Sequence, residues 1–219
     1  MRLFDDGSGG GVLTNWLVKK RQTGRDSSAV ILRAAAAEFA HRGYDAARVD
    51  RIAARARVNK AMLYYHYGSK QGLYVTVLRD MFTAVAARAR AIADGPGTSS
   101  AKMDAWIETV VAEASARPWF PPVMLHELAS GGAHLDRETL GTMNAIYGAV
   151  HDVIVEGQRR GEFGEADPLL THLTILPAIL MFFARQRVIA TNRVTHGVAA
   201  PRALDTFVRH IQRVARRIL

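Results

Sequence analysis

Residues 48–67 read RVDRIAARARVNKAMLYYHY, and this stretch decides the fold of the N-terminal part of the chain. Its first half predicts a short helix from about Arg48 to Arg55, because apolar residues repeat there at helical spacing. Its second half predicts another short helix over residues 60–67, with Asn59 as the N-cap. One shared apolar face is formed by Val49, Ile52, Ala53, Val58 and Leu63. Two short helices packed in this way, with the second one exposed, form a helix-turn-helix.

The exposed side of the second helix predicts a DNA interface, because it combines the cation Lys60 with several aromatic groups within two turns. The major groove of DNA, about 12 Å wide, admits one helix while the first helix braces it across the backbone. We expect Lys60 to reach a base edge, and Met62 and Tyr65 to make apolar contacts. Phosphate contacts are expected from Arg48, Tyr64, His66 and Lys70. The predicted interface consists of Arg48, Asn59, Lys60, Ala61, Met62, Tyr64, Tyr65, His66 and Lys70.

The distribution of charge supports an acidic partner. The chain carries a net charge of +9, with 29 Lys and Arg against 20 Asp and Glu. Residues 1–70 hold 13 basic and 6 acidic residues, a net charge of +7, whereas residues 71–219 hold 16 and 14. A local basic surplus indicates nucleic acid or an anionic membrane surface, and a solubilising charged face is the alternative.

The rest of the sequence predicts helices and no strand. Gly43 ends a first helix that begins near Ser27, and Gly95-Pro96-Gly97 follows a long helix that Ser69 caps. Further helical segments are predicted over residues 99–117, 119–130, 137–160, 168–192 and 201–218. Residues 1–24, rich in glycine and then in basic residues, are predicted to form a flexible basic arm.

These motifs resemble the TetR family from about residue 25 to residue 85. The similarity is carried by AEFAHRGY (37–44), IAARA (52–56) and LYYHYGSK (63–70). On the family's pattern fall Asn59, Leu63, Tyr64, Tyr65, His66, Tyr67 and Lys70. The predicted helices number about nine and no strand is predicted, which indicates an all-α protein. The resemblance implies a protein in two parts. It would have a three-helix helix-turn-helix DNA-binding domain at 25–85 and a C-terminal helical domain at 86–219 for ligand binding and dimerisation.

The chain departs from the family pattern at four positions. Arg48 and Arg51 stand where Thr and an acidic residue often form a capping box, so a cap worth about 1 kcal/mol is missing and two cations are gained. Arg57 occupies a turn position often held by Gly, where a left-handed conformation would cost about 1–2 kcal/mol. Met62 replaces a common Thr, so the family's phosphate contact is not carried over to this position.

The resemblance also implies a site for a small-molecule effector. We expect a largely apolar ligand between the helices at about 100–130 and 137–160, with the long helix from Ser69 acting as a lever on the DNA-binding domain. The predicted pocket residues are Met103, Trp106, Val110, Phe120, Met124, His126, Glu127 and Tyr147. Residues of these types at helical spacing also form ordinary hydrophobic core, and that alternative stays open.

The last two helices predict a homodimer through residues 168–192 and 201–218. The first of them is apolar nearly all round, so both of its sides must be covered, and one subunit covers only one side. A compact monomer that buries both helices is the alternative. A two-fold dimer implies a double-stranded DNA operator with inverted repeats.

Several classes of function are set aside. The chain has no cysteine, which excludes disulfides, Cys-based zinc sites and thiol catalysis. His126-Glu127 lacks the second histidine of the zinc-protease motif, because Ser130 stands at that position. We therefore expect no catalytic residues, no metal and no cofactor.

No stretch reaches the roughly 18 apolar residues of a membrane helix and no signal peptide is visible, so we expect a cytoplasmic protein without a membrane partner. The function we expect is a repressor that binds a palindromic operator as a dimer and is released by a small-molecule ligand. Two alternatives remain: a ligand-independent DNA-binding activator or architectural protein, and an enzyme on a helical scaffold.

Overall fold

A computed structural model describes the backbone of residues 10–192 and 203–219, and the side chains from Ser27 onward within these ranges. Over these residues the chain forms nine α-helices and no strand, which confirms the predicted all-α class. The helices are α1 (Gly10–Ala46), α2 (Val49–Ala56), α3 (Lys60–Tyr67), α4 (Lys70–Asp94), α5 (Ser99–Ala116), α6 (Phe120–Ala129), α7 (Arg137–Arg159), α8 (Pro168–Asn192) and α9 (Leu204–Ile218).

The first helix begins earlier than predicted. α1 starts at Gly10, whereas the sequence predicted a start near Ser27. Residues 12–23 contain neither Gly nor Pro, so the local sequence does not stop the helix there. Residues 10–24 of the predicted arm thus have helical backbone. Residues 1–9 of that arm, and residues 201–202 of the predicted last helix, lie outside the described residues.

Side-chain caps fix the starts of α3 and α4. Asn59 accepts a hydrogen bond from the Ala61 N–H at 2.9 Å, as predicted. Ser69 accepts one from the Gly72 N–H at 3.0 Å. Arg48, the N-cap residue of α2, makes no such bond, which confirms the missing cap. α2 therefore depends on its packing against α1.

Two hydrophobic clusters form the core, and α4 contributes to both. The first cluster joins α1 to α4 and includes residues of α6, among them Phe120 and Met124. The second cluster is built mainly from α5, α7, α8 and α9. Because α4 continues from the first cluster into the second, the domain boundary predicted at residue 85 falls inside one unbroken helix.

The apolar residues of α8 divide into two sides. Ile175 and Ile179 are buried in the second cluster. An outer set, which we call the α8 stripe, repeats along one helix face and is more than half exposed; it consists of Leu170, Leu173, Met181 and Val188. By length and composition, α8 is the one helix in the described part of the chain that is apolar enough to cross a membrane, with a mean hydropathy of 1.5. The sequence contains no unbroken run of 18 apolar residues here, because polar residues such as Thr171 and His172 interrupt the apolar segment, but the mean hydropathy of the helix is high enough.

Candidate nucleic-acid interface

The helix-turn-helix is assembled from the residues that the sequence indicated. Ile52 and Ala53 of α2 and Leu63 of α3 are buried in the first cluster, which joins the two short helices to α1 and α4. Arg57 in the turn between them has φ 54° and ψ 41°, a left-handed conformation. For a residue with a side chain, this conformation costs about 1–2 kcal/mol. Arg57 therefore adopts the left-handed conformation that was considered for it, because the family often has Gly at this position.

The outer face of α3 is exposed and rich in aromatic side chains. Tyr65 is 82% exposed and Tyr64 is 46% exposed. Four neighbouring predicted interface residues are also exposed, namely Arg48, Asn59, Lys60 and Ala61, whereas Met62 is half-buried. Further exposed cations on α2 and its turn are Arg51, Arg55 and Arg57. The surface thus combines positive charge for phosphates with amphipathic side chains for base edges.

An ion pair links α2 and α3 on this face. The Lys60 Nζ lies 2.7 Å from Asp50 Oδ1, and both side chains are largely exposed. The hydrogen bond to Asp50 and the charge of its carboxylate raise the pKa of the Lys60 amine above its usual value. Lys60 is therefore a charged donor at the start of α3, next to the Asp50 acceptor. We call α3 the reading helix, because it is the helix predicted to enter the major groove.

Two predicted phosphate-binding residues have surroundings that the sequence did not indicate, and their contacts with DNA stay a prediction. The Nε2 atom of His66 is buried without a hydrogen-bond partner, so the ring does not present it to the surface. The Lys70 ammonium donates to the Asp45 carbonyl at 3.0 Å and lies 4.5 Å from the centroid of the Tyr44 ring. Lys70 therefore ties the start of α4 to the end of α1, a contact that sequence spacing does not reveal.

The eight predicted pocket residues do not form one group. Met103, Trp106 and Val110 are buried in the second cluster. The ring of Tyr147 contacts a histidine of α8, and that histidine contacts Trp106. Phe120 and Met124 are buried in the first cluster instead. The reason is the break at residues 117–119, which sends α6 back against α1 rather than alongside α5. Helical spacing predicts which residues are buried, but not which neighbours they meet.

Glu127 and His126 lie at the junction between α6 and the helix-turn-helix domain. Glu127 is 1% exposed, accepts from the Tyr74 hydroxyl at 2.8 Å, and accepts from the His134 N–H at 2.8 Å. The His134 ring packs on Tyr44, with 4.0 Å between the ring centroids. His126 is exposed and lies against Gly43, where an added Cβ would come within 3.3 Å of its Nδ1. This junction connects α1, α4 and α6 through one buried carboxylate.

A residue that the sequence pattern did not indicate is His172, which lies in α8 between Trp106 and Tyr147. Its ring centroid is 5.6 Å from that of Trp106 and 5.5 Å from that of Tyr147. Burial lowers the pKa of this imidazole, which keeps it neutral at pH 7. The available signal was a single histidine, next to a threonine, in an otherwise apolar helix.

Comparisons with known proteins match the N-terminal region to a family model. The family described as bacterial regulatory proteins, tetR family, matches residues 31–77. The chain is 31% identical over 154 residues to the HTH-type transcriptional repressor SCO4008 of Streptomyces coelicolor, an alignment that covers 70% of this chain and 76% of that one. It is 51% identical over 49 residues to the HTH-type transcriptional activator FasR of Mycolicibacterium smegmatis, which is 22% of each chain.

The fold is also similar to solved structures. The TetR family transcriptional regulator PfmR from Thermus thermophilus matches with a TM-score of 0.67 and 20% identity. The match covers 86% of this chain and 98% of that one. At this identity the likeness concerns the order and packing of the helices.

Proposed function

We propose that this chain, which belongs to the TetR family of bacterial regulatory proteins, represses transcription by holding a palindromic operator as a homodimer and leaving it when a small molecule binds. The chain is a DNA-binding transcriptional regulator. The exposed face of α3 carries the proposal, because two exposed tyrosines and a charged lysine stand among exposed arginines on a helix that fits the major groove.

The test begins with selection of bound sequences from random double-stranded DNA, using the full chain. We expect an inverted repeat. Lys60→Ala should relax the preference at one base pair in each half-site, at a cost of about 1–3 kcal/mol. Lys70→Ala should weaken binding to all sequences alike, since the Lys70 ammonium sets the position of α4 rather than reading a base. If Lys70→Ala changed the selected sequence while Lys60→Ala did not, the assigned roles would be reversed.

The α8 stripe supports the dimer. Leucine, methionine and valine side chains exposed along one face mark an interaction surface, because a partner that covers them removes apolar area from water. We propose that a second copy covers this stripe, with α9 beside it, so that two helices from each subunit form the interface. A membrane is the other environment that would cover such a helix. Recovery of the protein with membranes, rather than as a dimer in solution, would overturn this part of the proposal.

The effector site is proposed on the α5, α7 and α8 side of the chain, around Trp106 and Tyr147. α7 packs extensively against α4, and α4 begins three residues after α3 ends. A ligand that displaces α7 therefore changes the position of α4 and of the reading helix. In a dimer, the two helix-turn-helix domains, called the reading heads, must both fit the DNA. A ligand that favours the state in which they are misaligned weakens operator binding, with a typical coupling of about 1–3 kcal/mol.

Activation of transcription is the second candidate. One relative, 51% identical over 49 residues, is named an activator, whereas another, 31% identical over 154 residues, is named a repressor. A reporter gene placed behind the selected operator separates the two, because repression requires lower expression when the protein is present. Since the chain acts on DNA, we also propose that it is cytoplasmic.

A further inference from the structure

A line of aromatic rings leads from the surface of α7 to the interior of the second cluster. The centroid distances are 6.1 Å from His151 to Tyr147, 5.5 Å from Tyr147 to His172 and 5.6 Å from His172 to Trp106. The His151 side chain is 45% exposed, whereas His172 is 9% exposed and Trp106 is 3% exposed. The rings therefore mark a continuous path from solvent to a buried indole.

Two hydrogen-bonding atoms at the inner end of this path have no partner. They are Nε1 of Trp106 and Nδ1 of His172, and both are buried. Buried polar atoms are nearly always paired, because leaving one unpaired costs about 1–3 kcal/mol. The indole N–H can only donate, while the imidazole nitrogen either donates or accepts according to its tautomer. Their position on adjacent rings indicates that a bound molecule with matching polar atoms completes the site.

The charges nearby indicate that this molecule is uncharged. On α5, Lys102 is paired with Glu156 at 2.8 Å, and Asp104 is paired with Arg216 of α9. On α7, Asp152 lies 2.7 Å from Arg90. His172 is neutral at pH 7, because burial lowers its pKa. A charged ligand buried here would therefore have no free counter-charge and would incur a large desolvation cost.

The space beside the indole is small in this structure. The void lined by Trp106, Met103 and Val150, with residues of α4, has a volume of about 10 Å³, which is room for about one water molecule. The void lies between α4, α5 and α7, so a larger molecule enters only if α7 moves away from α4 and α5. Because α7 packs against α4, this opening displaces the helix that follows the reading helix.

We propose that Tyr147, His172 and Trp106 form the binding site for a small, planar, uncharged aromatic molecule that carries a hydrogen-bond acceptor beside a donor, as in an aromatic amide or a lactam. The acceptor receives the indole N–H, the donor points to Nδ1 of His172, and the ring packs on Tyr147. This inference rests on the proposed function, since it names the class of effector that acts at that site.

Calorimetry and thermal denaturation of the full chain test the site, with benzamide and 2-pyridone as probes and benzoate and toluene as matched controls. We expect the two amide-type probes to bind and raise the melting temperature, and benzoate and toluene to bind at least about tenfold more weakly. Trp106→Phe, which removes the donor and keeps an aromatic ring, should weaken benzamide about 5- to 150-fold. Trp119→Phe changes a half-buried indole outside the second cluster and should leave binding unchanged.

The outcomes distinguish the site from the regulatory role. Equal binding of benzamide and toluene, normal benzamide binding by a folded Trp106→Phe variant, or no binding of either amide-type probe would overturn the site. Binding that depends on Trp106 but leaves affinity for the selected operator unchanged would support the site and overturn its role as effector site. If benzamide weakened operator binding by the unmodified protein but not by Trp106→Phe, both the site and its role as effector site would be supported.

Discussion

The helix-turn-helix and the C-terminal helices leave opposite kinds of side chain at the surface. On α3 the exposed groups are Lys60 and two tyrosines, which suit an anionic, hydrogen-bonding partner. On α8 they are the leucine, methionine and valine residues of the α8 stripe, which suit an apolar partner. Both regions bury unpaired polar atoms, namely Nε2 of His66 in the helix-turn-helix and those of Trp106 and His172 in the C-terminal helices. The difference between these surfaces suits DNA as the partner of α3 and supports the proposal that a second subunit covers α8.

The largest expected effect comes from introducing a charge into the α8 stripe. Leu173→Glu should convert the dimer to a monomer, because the carboxylate would be buried without a partner in the subunit interface. Operator affinity should then fall by about 10²- to 10⁴-fold, since the two reading heads no longer bind as one unit. Sedimentation and a gel-shift titration measure the two effects.

The control for this experiment is Leu128→Glu. Leu128 of α6 is 56% exposed, close to the 54% of Leu173, but it lies outside the α8 stripe. The control variant should stay dimeric. If both variants were dimers with normal operator affinity, the contrast between an apolar and a polar interface would be wrong.

A second, smaller effect is expected at the junction of the two regions. Tyr74→Phe keeps a ring that is packed at 4.8 Å from Phe39 but removes the hydroxyl that donates to the buried carboxylate of Glu127. A hydrogen bond to a charged group contributes about 1.5–3 kcal/mol, so the free energy of unfolding should fall by about that amount. Tyr67→Phe, which breaks a half-buried bond to Ser28, should cost less. If urea denaturation showed equal losses of unfolding free energy for Tyr74→Phe and Tyr67→Phe, the hydrogen bond to Glu127 would be no stronger than the bond to Ser28.

A third effect should stabilise the helix-turn-helix. Arg57→Gly removes a side chain from a left-handed position, so the free energy of unfolding should rise by up to about 1 kcal/mol. Arg55→Gly is the matched control, because this exposed arginine lies inside α2, where glycine costs about 0.5–1 kcal/mol. Urea denaturation of the two variants should therefore show opposite signs. A destabilised Arg57→Gly variant would contradict the strain assigned to the turn.

The smallest effect is a pH dependence that originates in the C-terminal helices. Burial lowers the pKa of His172 below its ordinary value of 6.5, so below that pH the unfolded chain binds a proton that the folded chain does not. Stability should therefore fall as the pH drops below about 6.5, and this residue should contribute no slope above about pH 7. His172→Phe should flatten the profile of unfolding free energy between about pH 5 and pH 7. A profile that His172→Phe leaves unchanged would contradict the burial effect.

Local chemistry explains what the sequence predicted well. Asn59 and Ser69 cap helices that begin at the next residue, because their side chains satisfy N–H groups within the same turn. Arg57 is left-handed because the turn geometry requires it, whatever residue stands there. Such features depend on neighbours within a few positions, so they are visible in the sequence.

Long-range packing explains what the sequence did not predict. Trp106 and Phe120 are both apolar residues of neighbouring helices, yet they belong to different clusters, because α6 turns back against α1. Lys70 was assigned to phosphate, but its partner is the Asp45 carbonyl, 25 positions earlier. His172 meets Trp106 only when α8 lies across α5. None of these pairings follows from helical spacing alone.

The contacts of His134 limit where the DNA-binding domain of this chain can be joined to the C-terminal domain of another regulator. This residue donates its N–H to Glu127, accepts from the Gln71 amide at 2.8 Å through its carbonyl, and stacks on Tyr44. A hybrid gene spliced after residue 85 would give the DNA-reading module a foreign α6 and loop, and would strip Tyr74 of its carboxylate partner. A hybrid protein that preserves these contacts must therefore keep residues 120–136 together with the helix-turn-helix domain that they contact.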